Sequence, residues 1–258
     1  MKQSKFTISN RREKILNHMR ENGSAKVEEL SELCRVSPLT IRRDLDSLVQ
    51  INAVRRNFGG AQLLNTVDKP ATFEEKKTVH HSEKIKIAQA ASRYISDGCT
   101  VFMNSGTTVL QVISALTEKN VTIITNNALA YEYAQKTGGD IICTGGVYSD
   151  STKAYVGDFA VNILSKVYAD VCVLGVNGIN AVSGVTTSVL QETNISDKMV
   201  ERCTGKVIVV ADGSKIGRTF SFVSVKLSHI DLLITDSSAD SLEIEKLRST
   251  GLKIIILD

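Results

Sequence analysis

Tryptophan is absent from this 258-residue chain, and proline occurs only at Pro38 and Pro70. Without tryptophan, intrinsic indole fluorescence cannot report on a ligand. No stretch approaches the roughly 20 consecutive apolar residues of a membrane span, so no membrane partner is expected. The opening MKQSKFTISNRREK lacks the apolar core of a secretory leader, and a cytoplasmic location is expected. Cys34, Cys99, Cys143, Cys172 and Cys203 form no C-x-x-C pair, and their odd number suits a reducing compartment. They are expected to be small buried hydrophobes. His80-His81 has no second ligand pair nearby in sequence, so neither a metal site nor a cofactor is expected.

What is present is ordinary globular composition, 42% apolar and 23% charged, in a chain long enough for a small plus a medium domain. The charge is unevenly placed. Residues 1–65 hold twelve Lys/Arg against seven Asp/Glu, a net of +5; residues 66–258 hold nineteen against twenty-one, a net of −2. A basic head on a mildly acidic body points to a polyanionic partner for the head.

Three helical patterns succeed one another in that head. Ile15, Leu16 and Met19 make one apolar stripe, Val27, Leu30, Leu33 and Cys34 a second, and Ile41, Leu45 and Leu48 a third at i, i+4 and i+7. Gly23-Ser24 parts the first two, and Arg35-Val36 makes a turn of helix-turn-helix length before the third. Ser37 suits the N-cap of the third helix and Pro38 its first position, where no N–H is needed. With the stripe turned inward, Leu39, Arg42, Arg43 and Asp46 face outward, and Pro38 and Thr40 stand at the exposed N-terminal end. A recognition helix offers those positions to the major groove. Val54–Arg56 and Ala61–Leu64 flank Asn-Phe-Gly-Gly, which predicts a hairpin wing with both glycines at the turn. Candidate DNA-binding residues are therefore Ser37, Pro38, Leu39, Thr40, Arg42, Arg43, Arg55 and Arg56.

From Arg11 to Leu64 the chain resembles the DNA-binding region of the DeoR family of bacterial sugar-metabolism regulators. RREKIL near the start, SPLTIRRDL at 37–45 and the RRNFGGA wing carry the resemblance. Phe58 stands where the family usually has histidine.

Residues 66–81 read as a polar linker, setting a winged helix-turn-helix domain at 1–65 apart from an α/β effector-sensing domain at 82–258. In the latter, strand-like runs at 100–103, 122–125, 140–143, 170–176, 207–211, 231–235 and 253–257 alternate with helical patterns at 82–96, 107–118, 128–137, 158–166, 192–204 and 240–249. Such alternation predicts a largely parallel sheet, whose ligands bind beyond the carboxyl ends of the strands. Small and polar residues crowd those ends: Asn104-Ser105-Gly106-Thr107-Thr108, Asn126-Asn127, Gly145-Gly146, Asn177-Gly178, Gly184-Val185-Thr186-Thr187 followed by Glu192, and Asp212-Gly213-Ser214-Lys215. A Gly-hydroxyl loop opening a helix offers amides and the positive end of the helix dipole to a phosphate, with Lys215 as a balancing charge.

This half also resembles the DeoR family, whose sensor domain is similar to ribose-5-phosphate isomerase and coenzyme A transferase folds. The resemblance implies an effector site with Ser105, Gly106, Thr107 and Thr108 as the phosphate loop. Asn126, Gly145, Gly146, Thr186, Thr187, Glu192 and Lys215 match its other ligand-facing positions, and Asn177 is expected at the sugar end. Asn104 and Asn177 stand where acidic residues are frequent. An amide is no general base, so binding without turnover is expected and no catalytic residue is assigned. The reading is a repressor of a carbohydrate-utilisation operon that holds double-stranded operator DNA as a homo-oligomer, at least a dimer, and is released by a phosphorylated sugar. The alternatives are a sugar-phosphate isomerase or transferase with an appended nucleic-acid module, and a structural DNA-binding protein with a degenerate C-terminal domain.

Overall fold

The computed structural model describes residues 11–12, 14–15, 18–19, 22–50, 54–57, 59–63, 73–116, 118–133 and 138–258, without the side chains of Gln50, Arg55 and Leu63. Leu16, Phe58, residues 64–72 of the expected wing end and linker, and residues 134–137 lie outside the described residues. The chain forms two compact units, Met1–Pro70 and Ala71–Asp258.

In the first unit, helical residues at 11–12, 14–15, 18–19 and 22 lead into β1 (Ser24–Lys26), α1 (Val27–Cys34), α2 (Pro38–Gln50), β2 (Val54–Asn57) and β3 (Gly60–Leu63). Ile15, Met19, Leu30, Ile41, Leu45 and Leu48 meet in one core with Val54 and Ala61. Each such large side chain contributes about 1.5–3 kcal/mol when fully buried. α1 stops at Arg35, whose left-handed φ of 54° turns its N–H back to the Glu32 and Ser31 carbonyls. The Ser37 hydroxyl accepts from the Thr40 amide at 3.3 Å, so α2 opens on the expected cap.

The three-residue strand β1 was not legible in the helical pattern around Gly23-Ser24. It pairs with β3, which also pairs with β2, in a three-stranded antiparallel sheet. The two wing glycines turn out to do different things. Gly59 takes the positive φ of the turn, at 80°. Gly60 lies within the β3 ladder, where a Cβ would fall 2.2 Å from the Ala25 carbonyl oxygen. Its missing side chain is what lets β1 approach.

In the second unit, α3 (Phe73–Thr78) and α4 (His81–Ser92) precede β4 (Thr100–Met103), α5 (Thr107–Ala115), β5 (Thr122–Thr125), a 3₁₀ turn at Ala130–Tyr133, β6 (Ile141–Cys143), β7 (Val147–Ser149) and β8 (Ala154–Val156). After these come α6 (Asp158–Ser165), β9 (Ala169–Gly175), β10 (Gly178–Asn180), β11 (Gly184–Thr187), α7 (Leu190–Glu201), β12 (Cys203–Val210), β13 (Phe222–Val225), β14 (Leu232–Asp236), α8 (Ser241–Ser249) and β15 (Lys253–Leu257). Seven strands form one sheet in the order β15-β14-β12-β9-β4-β5-β6, and every pairing in it is parallel. Alternate residues feed two cores. Val101, Met103, Val171, Val173, Ile208 and Val210 face α3, α4 and α5 through Phe73, Ile87, Ala91 and Ile113. Phe102, Cys172, Leu174 and Val209 face α6, α7 and α8 through Leu164, Met199 and Leu247. The chain leaves β4 in one direction for β5 and β6 and later returns to its other side with β9, so the order reverses between β4 and β9. A crevice opens at such a switch point, beyond the strand ends.

Several expectations are corrected. Residues 73–78 of the expected linker are helix, and Phe73, only 4% exposed, is part of the sensor core. The helix expected over 192–204 ends at Glu201, and β12 starts at Cys203 because it pairs with β9 from Ala169 onward across a register shift. Only a short 3₁₀ turn is seen within 128–133. The hairpin β7-β8 and the antiparallel sheet β10-β11-β13 were read as loops. All five cysteines are free, but only Cys172 is fully buried, and Cys143 is exposed. No helix among the described residues is long and apolar enough to cross a membrane.

Candidate functional site

The first unit presents the N-terminal end and outer face of α2. Ser37, Pro38, Leu39, Arg42 and Arg43 are exposed and Thr40 is half-buried. An exposed leucine beside two arginines is what a base-reading face needs: apolar contact for a thymine methyl and guanidinium groups for guanine edges or phosphates. The face is braced from beneath. Asp44, 2% exposed, accepts from Arg11 Nε at 2.5 Å and Arg12 Nε at 3.1 Å. Arg12 also donates from Nη2 to Ser47 Oγ at 2.9 Å. The strand β2 puts exposed Arg56 beside Asp46 of α2, with Nε and Oδ1 3.7 Å apart, so the wing is drawn to the same helix. The side chain of Arg55 lies outside the described residues.

The second unit gathers its polar residues at the switch point. The loop after β4 leads into α5, whose N-terminus has no side-chain cap; its N-cap residue is Gly106. The hydroxyls of this loop do not cap the helix, so the first-turn amides point outward with the positive end of the dipole. Asn104 binds the end of β9 instead: its amide donates to the Gly175 carbonyl at 2.9 Å and accepts from the Gly175 N–H at 2.8 Å. On the other wall, Glu192 of α7 accepts from Thr187 Oγ1 at 3.1 Å. Burial pushes the Glu192 carboxyl above its ordinary range, while the Thr187 hydroxyl, the Lys76 ammonium and the Ser105 hydroxyl pull it back. Ser105, Thr187 and Glu192 therefore share one place. Asn177 is beside them, with Nδ2 3.4 Å from Ser188 Oγ.

Sequence reasoning missed two lysines and an aspartate here. Burial lowers the pKa of the Lys76 ammonium on α3, with Glu192 opposing and Lys215 adding its like charge. Lys84, 3% exposed, is lowered first by burial and further by Lys215 and Lys76, against the pull of Asp212. Asp212 is 1% exposed; its Oδ1 accepts from the Ser214 amide at 3.2 Å, while its Oδ2 has no hydrogen-bond partner. Lys76, Lys84 and Lys215 thus form a cationic cluster around the ends of β9 and β12. Lys84 could have been found: it precedes Ile87, Ala88 and Ala91 by three, four and seven residues, on the buried stripe of α4. Lys76 carried no signal, standing in a segment read as linker.

Other expected positions are placed apart. Thr186 is fully buried, and its hydroxyl accepts from the Phe220 amide at 3.0 Å. Adjacent strand residues face opposite ways, so Thr187 reaches the crevice and Thr186 serves the small sheet. Asn126 is buried after β5; Nδ2 donates to the Tyr155 carbonyl at 3.0 Å and Oδ1 is left without a partner. Gly145 and Gly146 follow β6. At about 4.8 Å per strand, the ends of β6 and β12 are four spacings, about 19 Å, apart, more than one sugar phosphate spans. Among the described residues, no group of His, Cys, Asp and Glu is arranged to hold a metal ion.

Two family models match the chain: a DeoR-like helix-turn-helix domain over residues 11–67 and a DeoR C-terminal sensor domain over residues 79–237. The HTH-type transcriptional regulator GlpR of Haloferax volcanii is 30% identical over 246 residues, which are 95% of this chain and 96% of that protein. The glycerol-3-phosphate regulon repressor of Escherichia coli is 31% identical over 226 residues, 86% of this chain and 88% of that one. Among solved structures, ribose 5-phosphate isomerase A of Methanocaldococcus jannaschii overlaps 52% of this chain and 54% of its own, with 16% identity and a TM-score of 0.39.

Proposed function

The chain belongs to the DeoR family of transcription regulators, and on that premise we propose that it represses a carbohydrate-utilisation operon and leaves its operator when a phosphorylated sugar, or a similar phosphate ester, fills the crevice between β4 and β9. It is a regulator and not an enzyme. The observation that carries the ligand reading is the uncapped N-terminus of α5 at the switch point, with a cluster of three lysines nearby. The phosphate takes the amides at Gly106–Thr108 and the charge of Lys215. The sugar hydroxyls take Thr187, Glu192, Asn177 and the open acceptor of Asn126. Gly145 and Gly146 border the far end of the site, and Thr186 supports it from the small sheet without touching the ligand.

On DNA, α2 enters the major groove with Ser37, Pro38, Leu39, Thr40, Arg42 and Arg43, while Arg55 and Arg56 of the wing meet the backbone or minor groove. The protein works in the cytoplasm as a dimer or higher oligomer, because paired heads on paired half-sites multiply a modest single-head affinity. The ligand releases DNA by favouring an arrangement of the heads that mismatches the half-sites, and operator DNA then weakens ligand binding by the same factor.

The test is calorimetry with matched phosphorylated and unphosphorylated sugars, followed by operator gel shifts. The phosphorylated member should bind and release DNA. Thr107→Val should keep the fold, lose the ligand and hold DNA regardless, acting as a super-repressor. Wild-type ligand affinity in Thr107→Val places the site elsewhere.

A further inference from the structure

We propose that Lys76 is a ligand residue of the effector site and that α3, which carries it, relays occupancy of that site to the segment joining the DNA-binding unit. The inference rests on the phosphate-ester reading above and adds to it one residue and one route.

A six-residue helix is too short to stand by itself in water, so what anchors α3 decides its fate. Two anchors are visible, both within the sensor unit. Phe73 at its start is buried in the core with α4 and α5. At its other end, the Lys84 ammonium donates to the Lys76 carbonyl and, at 2.6 Å, to the Val79 carbonyl. Lys84 in turn is attracted by Asp212, so the pin that holds α3 belongs to the polar cluster of the crevice. The Lys76 side chain reaches into the same cluster, attracted by Glu192 and repelled by Lys215.

Without a ligand, Lys76 and Lys215 oppose each other across a half-buried space with the Glu192 carboxylate as the compensating charge on that wall. A phosphate ester, carrying up to two negative charges, turns this repulsion into two attractions and relieves the buried ammonium groups. α3 is then held more firmly to the sensor. Its first residue stands three positions after Pro70, where the first unit ends. Any change in how firmly α3 is held is therefore felt at the connection to the DNA-binding unit, with no wider rearrangement of the sheet required.

The test uses the full chain, with inorganic phosphate and glycerol 3-phosphate as probes. Calorimetry gives the affinity, and hydrogen exchange of the amides at 73–80 gives the state of α3. Lys76→Gln should weaken the probes about tenfold or more, as loss of a charge-assisted hydrogen bond does, and should abolish the ligand-induced protection of α3. Lys76→Arg should restore much of both. Lys77→Gln, which removes the same charge one residue along the same helix, should leave both unchanged. Wild-type affinity and protection in Lys76→Gln overturn the inference. Absence of binding to the wild-type protein, or undiminished binding to Thr107→Val, fails the phosphate-site reading itself, and the inference with it. Binding that Thr107→Val loses and Lys76→Gln keeps fails the inference alone.

Discussion

The side-chain amide of Asn104 pairs both ways with the backbone of Gly175, donating to its carbonyl at 2.9 Å and accepting from its N–H at 2.8 Å. The pair closes the point where β4 and β9 diverge, beneath the candidate ligand. A carboxylate at 104 accepts but does not donate, so the amide is suited to this two-way bond in a way an acid is not. Asn104→Ala leaves both Gly175 groups without these partners. It should destabilise the sensor unit by about 1–3 kcal/mol, read as an earlier unfolding midpoint in urea. A loss below about 0.5 kcal/mol, the range of ordinary surface substitutions, would show that water or Ser196 replaces the pair without cost.

Arg42 and Arg43 should separate by what they touch. Replacing an arginine that reads a base with alanine should weaken specific binding by about 1–3 kcal/mol and relax preference at one operator position. Replacing one that grips a phosphate should weaken all sequences alike and lower the salt slope by about one unit. Gel shifts over a salt series decide between the two, and unchanged affinity for both variants removes α2 from the interface.

Asp44 is a support and not a contact. Asp44→Ala strands the buried Arg11 guanidinium and should cost the first unit about 3–5 kcal/mol, so DNA binding falls through unfolding of the head. Circular dichroism of the variant should show loss of helix with ligand binding intact. A fully folded head in Asp44→Ala would mean that Arg11 is satisfied without it.

The Glu192 carboxyl is held above its ordinary range by burial. The folded state therefore binds that proton more tightly than the unfolded chain does. The stability this gives is complete below the ordinary carboxyl pKa and is lost as pH rises through the raised value. Glu192→Gln keeps a partner for Thr187 and removes the buried charge. It should raise the melting temperature at neutral pH, with the gain shrinking toward acid pH, while weakening the ligand. A variant less stable than the wild type at neutral pH would show that the attraction of Lys76 outweighs the burial cost.

The alternation of strands and helices, the apolar stripe of α2 and the polar strand ends were all legible, because each is a property of neighbouring residues. Elements whose cause lies elsewhere in the chain were not. The strand β1 reads Ser-Ala-Lys and exists because Gly60, far along the chain, makes room for Ala25. Thr186 and Thr187 are indistinguishable by type, and only the register of β11 sends one hydroxyl to Phe220 and the other to Glu192. Phe73 is a lone aromatic in a polar run, and its burial depends on helices packed from later sequence. Lys84 was legible in principle, as a charge on the apolar stripe of α4.

The strand order has a consequence for how the molecule is made. All described strands of the first unit are complete by Leu63, whereas β4 waits for β9, which ends at Gly175, before its second edge is paired. At the usual pace of about 5–20 residues per second, the ribosome takes about 6–22 seconds to supply the difference. Every nascent copy therefore passes through an interval in which the part that grips DNA is finished and the part that tells it to let go is still being synthesised.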